Sequence, residues 1–156
     1  MAVHTKRGGA AAKAGHDLEL HVTSWEAALD LDAGTAELSA DATSLRVEKG
    51  EGGMQTLGDE DKDNIHQTID DDVLQKRNIS FRSTSVVAGA GGRYTVSGEL
   101  TLAGKTQPID FELLADDGKV SARATVTQTR WGMKPFSALF GTLKVLDDVE
   151  VTLQSR

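Results

Sequence analysis

The chain has 156 residues, no cysteine, 17 Lys and Arg against 24 Asp and Glu, a formal net charge of −7 and a pI near 5.0. That length supplies one domain, spanning residues 1–156, able to bury roughly two-thirds of its unfolded surface without a metal or disulfide staple. Missing cysteines exclude thiolate zinc sites and cysteine nucleophiles, and the acidic balance argues against a nucleic-acid partner and against simple electrostatic adhesion to anionic membranes.

The first twenty-five residues hold Lys6, Arg7 and Lys13 but no continuous apolar stretch of signal-peptide length, and no eighteen-residue apolar run occurs anywhere. A soluble, cytoplasmic protein without stable membrane insertion is therefore expected. An Ala-rich piece, Ala10 to Ala14, suits a turn of helix. Apolar residues then alternate with period two at Leu18, Leu20 and Val22, at Ala27, Leu29 and Leu31, at Ala36, Leu38 and Ala40, and at Leu45 and Val47. Such alternation predicts half-buried strands. Parity reverses between Val22 and Ala27 and again between Ala42 and Leu45, which reads as bulges or corners where a sheet bends to close.

Gly58 to Lys76 breaks the pattern. Ile65, Ile69 and Val73 recur every four residues, acids crowd the front and Lys76 with Arg77 closes the back. This predicts one amphipathic helix over about 59–76, packed against the sheet through a single apolar stripe. Strand periodicity resumes at Ile79 and Phe81, at Val96, Leu100 and Leu102, at Ile109, Phe111 and Leu113, at Val120, Ala122, Ala124 and Val126, and finally at Leu143, Val145, Val149, Val151 and Leu153. Turn signals at Asp32-Ala33-Gly34, Gly89 to Gly92, Ala103-Gly104 and Asp116-Asp117-Gly118 are each short enough for a hairpin. The fold class expected is mainly β: an antiparallel barrel of about eight strands with one helix.

Several patterns could carry chemistry. Asp59, Asp61 and Asp63, with Asp70 further on, imitate part of a calcium loop, but Asn64 stands where the turn glycine belongs and Asp70 where the bidentate glutamate belongs, so helix-capping acids are expected and no metal site. His4, His16, His21 and His66 lack any metal-ligand spacing, and His16 and His21 fall on opposite faces of one strand. His16, after Gly15, is the best placed for a buried polar role. There is no GxSxG, P-loop or GxGxxG. Asp147 shares the inward parity of Val145 and Val149; a bulge turning it outward is favoured over an inward polar group. The small inward residues Ala27, Ala36, Ala40, Ser83, Gly98, Ala122 and Ala124 either let the walls approach or leave room for an occupant.

The segments "AAAKAGHDLELHV", "SLRVEKGEGG", "DKDNIHQTIDDDVL", "ISFRST", "YTVSGELTLAGKTQPIDFEL" and "QTRWGMKPFSALFGTLKVLDDVEVTL" resemble the YceI-like family in its actinobacterial form, through nearly the whole chain. The resemblance implies an extended lipocalin-like barrel whose tunnel holds a long isoprenoid lipid such as an isoprenoid quinone or prenyl phosphate, without catalysis and without any cofactor beyond the bound lipid. Two departures stand out. Many members carry a cleaved signal, which is not expected here, and the family's paired helix phenylalanines are replaced by Ile69 and Val73, which would give a tunnel of different shape if those aromatics line it.

On that resemblance the tunnel lining falls on Leu18, Leu20, Val22, Leu29, Leu38, Phe81, Val96, Leu100, Phe111, Leu113, Ala122 and Ala124. Trp131, Met133, Phe136, Leu139, Phe140 and Leu143 would shape or close one end, because Gly132, Pro135 and Gly141 interrupt the strand pattern there. Arg130 and His16 are the head-group candidates. The leading expectation is a non-enzymatic carrier. The alternatives are an interaction or stress-related scaffold with a solidly packed barrel, and a lipid-transforming enzyme using His16 or Asp147 as acid or base; a homodimer is left open.

Overall fold

The period-two segments become strands, and the computed structural model describes them over residues 1–141 and 143–155, with Leu139 described by its backbone only. In chain order they are β1 (Ala2–Thr5), β2 (Arg7–Gly8), β3 (Asp17–Val22), β4 (Trp25–Asp30), β5 (Thr35–Ala40), β6 (Leu45–Glu51) and β7 (Ile79–Ala88). There follow β8 (Arg93–Leu102), β9 (Lys105–Asp116), β10 (Lys119–Thr127), β11 (Ser137–Ala138), β12 (Leu143–Val145) and β13 (Asp148–Gln154). Ten of these make one antiparallel sheet in the order β4-β5-β7-β8-β9-β10-β13-β1-β3-β6, and β11-β12-β2 make a second, three-stranded sheet.

The two parity reversals are corners. Strand β3 runs into β4 through Thr23 and Ser24, and β5 into β6 through a 3-10 turn, Ala42–Ser44, capped by the Asp41 carboxylate accepting from Thr43 N–H at 2.9 Å. Thr23 N–H donates to the Ser44 carbonyl at 3.3 Å and Asp41 N–H to the Ser24 carbonyl at 3.0 Å, so the ribbon stays paired as it turns. Each corner joins two ladder strands into one bent strand, and the ten strands therefore amount to the eight expected. Because β4 at one end of the ladder continues β3 near the other, the sheet curls back on itself as a lipocalin-like fold does.

Tight turns maintain the meander. Ala103-Gly104 and Asp117-Gly118 each place both residues at positive φ (48° and 79°; 46° and 73°), the twist-matched hairpin geometry for which glycine is favoured at the second position. A register shift between Ser83 and Ser85 bends β7 against β8.

The helix covers the outer edge of β6. Helix α1 (Asp59–Thr68) begins with Asp61 accepting from the Gly58 N–H at 2.9 Å and continues through a π turn, Ile69–Val73. Lys62 donates to the Glu48 carbonyl of β6 at 2.9 Å, which satisfies an edge acceptor. The Ala-rich piece forms a short 3-10 turn, Ala12–Ala14. Among the described residues no helix is long and apolar enough to cross a membrane.

Candidate functional site

Inward parity leaves a space at the centre. The curled sheet lines a cavity of about 590 Å³, within the roughly 300–1,000 Å³ usual for small-molecule sites. Its wall is aliphatic: Val3 of β1, Leu18, Leu20 and Val22 of β3, Leu29 of β4, Leu38 of β5, Leu100 of β8, Leu113 of β9, Ala122 and Ala124 of β10, and Val149, Val151 and Leu153 of β13. Phe81 and Phe111 also face it, their rings edge to face at 5.3 Å between centroids. Gly98 permits that pair, since a Cβ there would overlap the Phe81 ring. The helical stripe contributes Ile65, Ile69 and Val73 from the side that β6 leaves open.

One end is polar. The Arg7 guanidinium reaches the lining and donates from Nη1 to the Gly15 carbonyl at 2.6 Å. His16 Nε2–H donates to the Gln55 carbonyl at 2.7 Å, leaving Nδ1 as the ring's second polar site. The Thr5 hydroxyl is buried beside them and has no hydrogen-bond partner among the described residues. A buried hydroxyl without a partner is costly unless something else supplies one. Asp17 organises this end: its Oδ1 accepts the Arg7 backbone N–H at 2.9 Å, and Lys6 lies 3.4 Å from Oδ2. The backbone N–H is the main reason its carboxyl titrates below the ordinary range; partial desolvation opposes this, and the Lys6 and Arg7 charges add to it.

The structure brings together Leu18, Leu20, Val22, Leu29, Leu38, Phe81, Leu100, Phe111, Leu113, Ala122 and Ala124 on the wall, and at the polar end His16 with Met133, Phe136 and Leu143 of the neighbouring hairpin segment. It holds four expected site residues elsewhere. Val96 is fully buried opposite Val86 and Phe111 in the sheet and takes no part in the lining. Trp131 is core: 1% exposed, its indole N–H donates to the Leu100 carbonyl at 2.7 Å. Phe140 is fully exposed at the tip of the β11–β12 hairpin. Arg130 lies on the outside, donating to the Pro108 carbonyl at 2.8 Å and stacking over the Trp131 ring at 5.1 Å. The side chain of Leu139 lies outside the described residues.

Asp147 turns out at the corner before β13, where its carboxylate accepts from the Thr129 N–H at 2.8 Å and the Thr129 hydroxyl at 2.5 Å. Arg7 and Thr5 were not singled out by sequence. The available signal was parity, since both continue the inward odd positions of Val3.

A meander curled around an apolar cavity with a polar end defines a lipocalin-like binding barrel. The YceI-like domain model matches residues 4–156, and the chain belongs to the YceI-like family. Among solved structures it is similar to BcnA of Burkholderia cenocepacia, with a TM-score of 0.71 and 17% identity over 98% of this chain and 93% of that one. It is also similar to the YCEI protein of Campylobacter jejuni, with a TM-score of 0.56 and 13% identity over 88% of this chain and 84% of that one. A mutant of the same protein described with a monobromobimane guest gives a TM-score of 0.59 at 13% identity, over 88% of this chain and 84% of that one. No curated relative matches the chain.

Proposed function

We propose that the protein is a non-enzymatic carrier or sequestering protein for a long-chain isoprenoid lipid, an isoprenoid quinone or prenyl phosphate. The chain of such a lipid would lie along the aliphatic wall, with its head group against Arg7, His16 and Thr5. The observation that carries this reading is the combination of a cavity walled almost wholly by Leu, Val, Ile, Ala and Phe with a buried hydroxyl at its polar end that has no partner among the described residues. Burying each CH₂ contributes about 0.8 kcal/mol, so a dozen buried carbons give on the order of 10 kcal/mol before ordering costs.

Membership of the YceI-like family supports lipid binding in general terms. Catalysis lacks a comparable argument. His16 donates to a backbone carbonyl and Asp147 is held by Thr129 at the far side of a corner, so the two acid–base candidates do not converge on one reacting position. The cavity also tells against a solidly packed scaffold barrel, because natural interiors seldom leave a space of this size without an occupant.

The test is native mass spectrometry of the protein as purified, followed by organic extraction and titration with a prenyl quinone and a prenyl phosphate. A bound lipid, or stoichiometric uptake, is the expected result. An empty protein that takes up neither at micromolar concentration overturns the reading.

A further inference from the structure

All 24 acidic residues fall within residues 17–117 and 147–156; residues 1–16 and 118–146 contain none. Those two acid-free stretches are the ones that supply β2, β11 and β12, the three-stranded sheet beside the polar end of the cavity. They bring Lys6, Arg7, Lys13 and Lys144 together at this end, since β2 pairs with β12 and the Ala12–Ala14 turn packs on β12, with Lys134 in the loop that leads into β11. Asp17 pairs with Lys6 and approaches Arg7, whereas Lys13, Lys134 and Lys144 form no ion pair among the described residues.

The same end carries exposed apolar bulk. Phe140 forms the tip of the β11–β12 hairpin, fully exposed and in the left-handed region at φ 56°, ψ 36°, a conformation that bulky residues rarely adopt. Phe136 is 47% exposed yet also lines the cavity, and Leu146 is 42% exposed. Met54, 82% exposed, lies in the loop whose Gln55 carbonyl receives His16.

We propose that this hairpin end docks on an anionic lipid bilayer. Phe140, Phe136 and Leu146 enter the boundary of the acyl layer, Lys13, Lys134 and Lys144 meet lipid phosphates, and the polar end of the cavity is set against the membrane. Exposed apolar side chains with lysines beside them are the pattern of an interfacial anchor; of the acids at this end, Asp17 is paired with Lys6 and the Asp147 carboxylate accepts from Thr129. The patch is continuous with the cavity, because Phe136 and Lys144 belong to both. A second copy of the chain fits poorly, since an isologous contact would set one cationic patch against another. The inference rests on the proposed reading of the cavity as a lipid site.

Flotation of the full chain with vesicles of phosphatidylcholine, and with vesicles of phosphatidylcholine and phosphatidylglycerol in equal parts, tests docking apart from uptake. The wild type is expected to float with the anionic vesicles and to be released by salt. Phe140→Ser and Lys134→Glu should each reduce the bound fraction about fivefold or more. Neither side chain lines the cavity, so both variants should melt like the wild type and still take up a prenyl quinone offered from detergent micelles. A wild type that floats with neither vesicle, while uptake from micelles persists, overturns docking, leaves the carrier reading standing and points to an acidic protein as the occupant. Flotation without uptake from micelles overturns the carrier reading instead. Variants that float as well as the wild type show that the hairpin end is not the anchor.

Discussion

The Trp131 indole N–H donates to the Leu100 carbonyl at 2.7 Å in a site that water does not reach. This one bond ties the 3-10 turn Gln128–Trp131 to β8 and makes the large indole part of the core. Trp131→Ala is expected to cost about 3–5 kcal/mol, as aromatic truncations in cores do. Trp131→Phe keeps most of the burial but withdraws the donor, for about 1–2 kcal/mol. Chemical denaturation of the two variants checks the order; an Ala variant as stable as the wild type would mean that the indole is not structural.

Phe136, five residues on, has the opposite character. It is half-exposed and faces the cavity, so little of its burial depends on the protein alone. Phe136→Ala should leave the melting temperature of the empty protein nearly unchanged while weakening uptake of a prenyl quinone about tenfold, the loss of one large apolar contact with the ligand. Melting and uptake measured on the same sample decide the matter. Destabilisation of the empty protein with affinity per folded molecule intact would place Phe136 in the core beside Trp131.

The contrast shows where sequence periodicity stops being informative. Along strands, a period of two fixes the facing of every side chain, so the wall was legible, and the phase changes after Val22 and Ala42 had to appear as corners. Ile65, Ile69 and Val73 likewise revealed a helical stripe, though spacing alone does not distinguish a π turn at Ile69–Val73 from a regular one. In the segment 128–142 no period exists. Whether Trp131 folds inward or Phe140 outward depends on tertiary packing, and bulk alone suggested a single shared role. Val96 has the right parity, but its level in the barrel places it between Val86 and Phe111 rather than on the cavity. Arg7 is not legible as an inward residue, because Val3, Thr5 and Arg7 alternate in position but not in hydrophobicity and polarity hides the inward face.

The acids at the start of α1 serve the helix. Asp61 accepts the Gly58 N–H, and Asp59, Glu60 and Asp61 together favour the positive end of the helix dipole. Asp61→Ala should cost about 1 kcal/mol through the lost cap. Millimolar calcium should leave the melting temperature of the wild type unchanged, because Asn64 and Asp70 replace the turn glycine and the bidentate glutamate of a calcium loop and the Asp61 carboxylate already accepts from the backbone. A rise of several degrees would mean that these residues bind the ion.

Asp17 gives the polar end its own pH dependence. The folded state favours the ionised carboxylate, chiefly through the Arg7 N–H, so its pKa lies below the ordinary 3.8. A depressed carboxyl pKa contributes stability that is fully present above the ordinary value and is lost as pH falls from there through the folded value. Asp17→Asn retains a carbonyl oxygen to accept the N–H but removes the charge that strengthens the bond. The variant should therefore be less stable than the wild type by about 1 kcal/mol near neutrality, and the gap should close as acid protonates the wild-type carboxylate. Melting curves of both proteins from neutral pH into the acid range test this. A gap that stays constant through the carboxylate range would assign the cost to packing rather than to the ionised group, and would remove the electrostatic account of how Arg7 is held beside Thr5 and His16.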